Sequence, residues 1–325
     1  MMDANPSTVD DQGAVVYSVV VPVYKNELSL PEVVERMEWL QTRLPARLEV
    51  VFVVDGSPDQ SAAVLRELLR ESELASQLVL HSRNFGSFAA IRTGFTVARG
   101  DYVAAMAADL QEPAELIETF FSHLATGDWD VALGTRAKRN DPLASKVASN
   151  IYWKMYRRFV QPDTPPGGVD IFGCTHTVAR QLASLEEANS SLVGLLFWLG
   201  YRRIEIPYTR HERKHGKSSW SWGRKFRYLL DSVFSFTSLP ISLILGVGIV
   251  GTLVSFVAAL VVLGAWLFGS IEVPGYTAQM LVMLFTSGSI LFALGIVGTY
   301  VWRTFENSKR RPLSVVMLQE TFGDE

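Results

Sequence analysis

Four short polar segments each close an apolar run and hold side chains able to do chemistry: VPVYKNE (Val21–Glu27), VVDGSPD (Val53–Asp59), HSRNFGS (His81–Ser87) and AADLQEP (Ala107–Pro113). They carry the carboxylates of Glu27, Asp55 and Asp109, the amide of Gln111 and the guanidinium of Arg83. An arginine fork suits phosphate. Taken singly each segment has a plainer structural reading. Asp55-Gly56-Ser57 fits a turn with a helix cap, and Asp109 fits a cap for a helix opening after Pro113. Further cations stand in Arg136, within a GTR segment, and in Arg213 and Lys217. They could hold a phosphorylated ligand or only face lipid headgroups.

The elements between these segments alternate. Val15–Val23, Leu48–Val54, Leu78–His81, Tyr102–Met106 and Val131–Leu133 read as strands, while Pro31–Leu44, Pro58–Arg70, Phe88–Ala98 and Pro113–Leu124 read as helices. Strands alternating with helices predict a parallel sheet covered on both faces. In such sheets ligands bind beyond the carboxyl ends of the strands, which is where all four polar segments fall.

The second half of the chain is different. No charged residue occurs from Ser232 to Ile271, nor, after Glu272, from Val273 to Trp302. Each stretch exceeds the roughly 20 apolar residues that span a bilayer. Arg224, Lys225 and Arg227 precede the first stretch, Arg303, Lys309, Arg310 and Arg311 follow the second, and the connection around Pro274 has no basic residue. The positive-inside rule then puts both termini in the cytoplasm and the connection outside. The N-terminus lacks the basic and apolar regions of a signal peptide, and the single Cys174 excludes an intrachain disulfide.

The net charge of −3 conceals an asymmetry: residues 1–135 hold 9 basic against 20 acidic residues, whereas 202–227 hold 9 basic against 2 acidic. Basic segments next to apolar spans predict contact with anionic headgroups or a phosphorylated substrate, and nothing points to nucleic acid. Residues 144–160, with Val147, Ile151, Met155 and Phe159 at fourfold spacing among Lys and Arg, fit either an interfacial amphipathic helix or an ordinary one packed on the sheet.

In this order and at these spacings the four polar segments resemble family 2 glycosyltransferases, and more closely the polyprenyl-phosphate glycosyltransferases and dolichol-phosphate mannose synthases, over about residues 17–312. The resemblance implies that Pro22, Tyr24, Glu27 and Asp55 hold the nucleoside. It puts Asp109 and Gln111 at Mg2+ or Mn2+ and the diphosphate, and Arg83 on the substrate as well. The family's R-x-x-G-x-S-x-aromatic pattern matches Arg213, Gly216, Ser218 and Trp220. Two positions depart from the family: its acidic pair is Val54-Asp55 here, and the first Asp of its D-x-D is Ala107.

The implied reaction is an inverting transfer of a sugar, glucose first among candidates, from a nucleotide sugar, UDP-linked before GDP-linked, to undecaprenyl phosphate. A phosphate monoester is largely dianionic at pH 7, so no strong base is needed. The requirement is fixed cations for the attacking phosphate and the departing diphosphate. Asp109, Arg136 and Arg213 are the expected catalytic residues, and Lys217 and Ser218 join the substrate contacts. Two formal motifs are set aside. HERKH (His211–His215) fits a zinc protease but sits among Arg210, Arg213, Lys214 and Lys217; GVGIVG (Gly246–Gly251) lies inside an uncharged span.

The expected architecture is therefore α/β. A glycosyltransferase A-type, Rossmann-like domain with a mainly parallel sheet occupies residues 1–215. A juxtamembrane segment (216–232), two transmembrane helices (about 240–268 and 276–302 within 233–303) and a cytoplasmic tail (304–325) follow. The expected location is the inner (plasma) membrane, with homo-oligomers in keeping with the family. The alternatives are a non-catalytic nucleotide- or lipid-binding member of the fold, suggested by Val54 and Ala107, and a zinc protease using His211, Glu212 and His215.

Overall fold

The computed structural model describes residues 15–136, 161–165, 168–187, 190–211 and 276–323, with scattered positions between 154 and 158 and between 230 and 260. The expected helix at 144–160 falls almost wholly outside these residues, as do Arg213, Gly216, Lys217, Ser218 and Trp220. The chain forms two compact units, one made of the sheet and its helices with residues 312–325, the other of residues 222–311 with 187–190.

The sheet unit runs β1 (Val15–Val23), α1 (Leu30–Arg43), β2 (Arg47–Val54), α2 (Ser61–Glu71), β3 (Ala75–His81), α3 (Ser87–Val97), β4 (Tyr102–Ala105), α4 (Ala114–Ala125) and β5 (Val131–Arg136). Then come β6 (Ile171–Thr175), α5 (His176–Ser184), α6 (Leu192–Trp198), β7 (Arg203–Tyr208) and, after the apolar region, β8 (Val316–Phe322). The strand order is β7-β5-β6-β4-β1-β2-β3-β8. β4, β1, β2 and β3 are mutually parallel, as are β5 and β7; β6 is antiparallel to β4 and β5, and β8 to β3. The mainly parallel sheet is thus present, with its six like-directed strands ending at one edge.

Local sequence explains the packing. In α1 the residues Leu30, Val33, Val34, Met37 and Leu40 recur at helical spacing and are all buried, with Pro31 tolerated in the first turn. They pack on Val19, Val21, Val50 and Phe52 in one continuous core with α2 and α4. The alternate strand residues face the other side, where α3 lies so close that a Cβ on Gly94 would stand 2.2 Å from Val20 Cγ1.

A buried charge locks the far edge of the sheet. Glu49, fully buried, accepts from Ser18 Oγ (2.9 Å), Gln77 Nε2 (2.7 Å), Arg99 N (2.9 Å) and Arg99 Nε (2.6 Å). Each carboxylate oxygen therefore has two donors, which is what makes such a burial tolerable. Gln77 in turn receives Gln319 Nε2 at 2.7 Å, so the same network reaches β8. Residues 312–323, expected within a tail, thus return to the sheet as an edge strand, with Arg66 paired to Glu320 at 2.7 Å.

In the other unit α7 (Tyr276–Ser308) covers the second expected span. Its 33 residues make a rod of about 50 Å. Val282, Ile290, Leu291, Phe292, Leu294, Val297 and Val301 are all at least half exposed. A core helix would bury them, and α7 is long and apolar enough to cross a membrane. The first expected span, about 240–268, is described only at scattered helical positions. Asp231, before it, is paired with Arg303, near the end of α7, at 2.6 Å.

Candidate active site

The loops beyond β1, β2, β3 and β4 lie together at the carboxyl edge of the sheet, stitched by hydrogen bonds. Lys25 N donates to Ser57 Oγ (2.8 Å) and Gln60 N to Glu27 Oε2 (2.9 Å), joining the first loop to the second. Ser29 Oγ donates to Ala108 O (2.7 Å), joining it to the fourth. Glu27, expected on the nucleoside, thus braces the start of α2 with one of its oxygens. Pro22 is half-buried within β1 and Tyr24 exposed at its end. The turn at Ser57–Ser61, closed by Ser61 N on Asp59 Oδ1 (3.2 Å), explains why α2 opens at Ser61 and not at Pro58.

Two non-glycine residues in these loops adopt positive φ, Lys25 at 58° and Leu110 at 60°. A left-handed leucine costs on the order of 1–2 kcal/mol and persists only where its surroundings enforce it. Leu110 is buried between Asp109 and Gln111, so the strain falls on the residue that sets their directions.

Asp55, expected on the nucleoside, is held inside the fold. It is 2% exposed, and its oxygens accept from His81 Nδ1 (2.8 Å), Phe85 N (2.8 Å) and Gly86 N (2.7 Å). Burial alone would push this carboxyl up, but those hydrogen bonds and the neighbouring His81 outweigh it and hold it below the ordinary range. Asp55 therefore shapes the 82–86 loop from inside, with both oxygens engaged. Beside it Gly56 has a φ of 56°, and a Cβ there would stand 2.2 Å from Arg83 C, so the turn demands glycine twice over. The exposed Arg83 then lies over the Phe85 ring at 4.0 Å. Behind Asp55 the chain of bonds continues from His81 Nε2 to Thr93 Oγ1 (2.9 Å) and on to Ser314 Oγ (2.8 Å), just before β8.

Beyond β4 the charges interlock. Gln111, expected at the metal, accepts from Arg210 through Oε1 (2.6 Å) and donates through Nε2 to His211 O (3.2 Å). Both ends of its amide are thereby committed to the segment after β7. Arg136 forms a two-pronged ion pair with Asp170, with one arm at 2.8 Å, and Tyr208 OH donates to the same carboxylate at 3.1 Å. The charge of Arg136, expected on the acceptor side, is thus paired with Asp170 in this structure.

Sequence reasoning passed over Asn26, Ser29, His81, Asp170, Tyr208, Arg210 and Glu112. The last adjoins Gln111 in the same segment and could have been noticed. Glu112 is 3% exposed. Burial, then the charges of Asp109 and Asp170, push its carboxyl up to about 7 against the opposing Arg210 and Arg136. A raised folded-state value means that Glu112 contributes stability in full below its unfolded value near 4.5 and loses it as pH rises through about 7. The loss is about 3 kcal/mol. Glu112→Gln cannot ionise, so in chelator it should match the parent's denaturation midpoint at pH 4 and exceed it at pH 8. A variant that is less stable at pH 8 would refute this.

His211 is exposed and follows β7 without helical structure, and Glu212 and His215 lie outside the described residues. Among the described residues no group of three His, Cys, Asp or Glu side chains could hold a metal.

Residues 18–185 match the family model of glycosyl transferase family 2. The chain belongs to that family. Among its relatives, the uncharacterized glycosyltransferase YkcC of Bacillus subtilis (strain 168) is 30% identical, covering 95% of both chains. The undecaprenyl-phosphate 4-deoxy-4-formamido-L-arabinose transferase of Pectobacterium carotovorum subsp. carotovorum (strain PC1) is 31% identical over 91% of this chain and 90% of its own. The bactoprenol glucosyl transferase of Shigella phage SfV is 28% identical over 92% and 97%. For this family 2 glycosyltransferase the likeness therefore extends well past the sheet domain into the apolar region.

Proposed function

We propose that this glycosyltransferase transfers a sugar from a nucleotide sugar to polyprenyl phosphate at the cytoplasmic face of the plasma membrane. One observation carries the reading: relatives named for undecaprenyl phosphate and bactoprenol align over more than nine-tenths of the chain, the exposed apolar α7 included. UDP-glucose is the leading donor and inversion the leading stereochemistry. An oxygen of the lipid phosphate attacks the anomeric carbon, the bond to the diphosphate breaks, and the nucleoside diphosphate leaves with the electron pair. Binding divides along the sheet, with the loops of β1, β2 and β3 for the nucleoside and the loop of β4 for the diphosphate.

The donor set fits a divalent cation that arrives with the diphosphate. Asp109 supplies one carboxylate, and magnesium commonly takes one or two carboxylates with phosphate and water completing its shell. When bound, Mg2+ or Mn2+ would neutralise charge on the departing diphosphate. Arg213, Lys217 and Ser218 are proposed for the acceptor phosphate. The test is transfer of label from a panel of nucleotide sugars into undecaprenyl phosphate by purified protein, with and without chelator. Absence of transfer from every donor would favour the non-catalytic reading suggested by Val54 and Ala107.

We also propose that the region 233–303 crosses the bilayer twice. The Asp231–Arg303 pair supports this, because it brings the start of the first apolar stretch to the end of the second. The return of the chain to β8 in the catalytic sheet supports an even number of crossings. A reporter after Glu325 and one inserted near Pro274 should therefore appear on opposite sides of the membrane, and both on one side would refute the model.

A further inference from the structure

Two polar atoms at the edge of the β4 loop stand buried without a hydrogen-bond partner among the described residues: Glu112 Oε2 and Arg210 Nε. Both belong to one pair, with Arg210 Nε 3.7 Å from Glu112 Oε1, too far for a hydrogen bond. A buried carboxylate oxygen and a buried guanidinium N–H left in this state cost more than an ordinary unmade bond, so the arrangement calls for a ligand atom.

The chemistry of the pair narrows that ligand. An anion is repelled by Glu112, with Asp109 and Asp170 close enough to raise its pKa. A metal ion is opposed by the fixed positive charge of Arg210 beside Glu112. The group that satisfies both orphans at once must donate to Oε2 and accept from Nε–H. A neutral hydroxyl does this with a single oxygen.

Location narrows it again. Glu112 lies in the same loop as Asp109, while the nucleoside is assigned to the loops of β1, β2 and β3. A polyprenyl chain has no hydroxyl, and its phosphate carries the wrong charge. Resting on the transferase reading above, we propose that Glu112 and Arg210 form the subsite that recognises a hydroxyl of the transferred sugar: the hydroxyl donates to Glu112 Oε2 and accepts from Arg210 Nε–H. Gln111, holding the same guanidinium at 2.6 Å, positions Arg210 for the contact. The pair then determines which sugars are accepted, and its unsatisfied state without substrate is the cost of that selectivity.

The experiment compares UDP with UDP-glucose, or with whichever donor of the panel supports transfer, by calorimetry on full-length protein in detergent. The proteins are the parent, Glu112→Gln and Arg210→Lys. Both variants should bind UDP within about twofold of the parent and bind the sugar nucleotide about tenfold more weakly, the scale of a lost hydrogen bond to a charged group. In single-turnover transfer, the parent should discriminate against one monodeoxy form of the donor, and Glu112→Gln should lose discrimination at that position alone. Retained UDP affinity in the same variants shows that they are folded, so misfolding does not mimic this result. Equal weakening of UDP and sugar nucleotide would assign the pair to the ribose or to folding and overturn the proposal. Unchanged binding of both would leave only a water at the site and overturn it as well. A parent that transfers from no donor fails at the earlier step, removing the transferase reading and this inference with it.

Discussion

Asp109→Ala is expected to lower sugar transfer by about a thousandfold, the upper range for removal of one preorganised charge-stabilising group, while leaving the protein folded and membrane-inserted. The expectation rests on the loop after β4. Ala107 replaces one carboxylate of the family's D-x-D, so Asp109 is the acidic residue left to meet the metal–diphosphate. The strained φ of 60° at Leu110 shows that the backbone is held against its preference there. Asp109→Asn keeps an acceptor for Gln111 N, which now lies 3.3 Å from Asp109 Oδ1, but removes the charge. It should be nearly as inactive as alanine if charge is what the site needs. Asp109 also raises the pKa of Glu112 through space, so both substitutions should move the Glu112-linked stability loss to lower pH. That second readout separates a charge effect from a collapsed loop. Parental transfer rates at unchanged expression would remove Asp109 from the chemistry.

What was legible in the sequence depended on whether an element's signal was local. Strands buried on both faces read as continuous apolar runs, and β1 and β2 begin and end within a residue of where the pattern put them. β3 begins three residues earlier than its apolar run because Ser76 and Gln77 are polar, and Gln77 serves the Glu49 network. β8 gave no usable signal. Val316–Phe322 becomes a strand through pairing with β3, more than 200 residues away, and its exposed Val316 and Met317 resemble an unstructured tail. The site followed the same rule. The loops could be located from the strand-end principle, but the partners Arg136–Asp170, Glu112–Arg210 and Asp55–His81 are tertiary pairings with no fixed spacing. The direction of the Asp55 carboxylate was illegible for a related reason. The motif announces a carboxylate at the loop without saying which way it points, and here it points inward.

That inward orientation predicts a large effect of an unexpected kind for Asp55→Ala: a loss of about 3–5 kcal/mol of stability, the scale for breaking a buried ionic network from one side. The alanine would leave the buried His81 Nδ1 and the half-buried N–H groups of Phe85 and Gly86 without the acceptors they now have at 2.7–2.8 Å. Asp55→Asn should fall between, because its carbonyl oxygen can keep one set of donors while its NH2 faces another. Since Asp55 fixes the loop that carries Arg83, UDP affinity should fall together with stability, and Arg83→Ala should weaken UDP while leaving stability near the parent's. The relay behind the carboxylate makes a graded test possible. Ser314→Ala removes only the outermost hydroxyl, which meets Thr93 Oγ1 at 2.8 Å. It should cost about 1 kcal/mol, the net worth of one hydrogen bond, and move UDP affinity in the same direction. Chemical denaturation and UDP titration of the four variants in one detergent would decide the matter. If Asp55→Ala kept the parental midpoint and lost only UDP binding, the carboxylate would have to face the nucleotide after all, and the loop-shaping role drawn from its hydrogen bonds would be wrong.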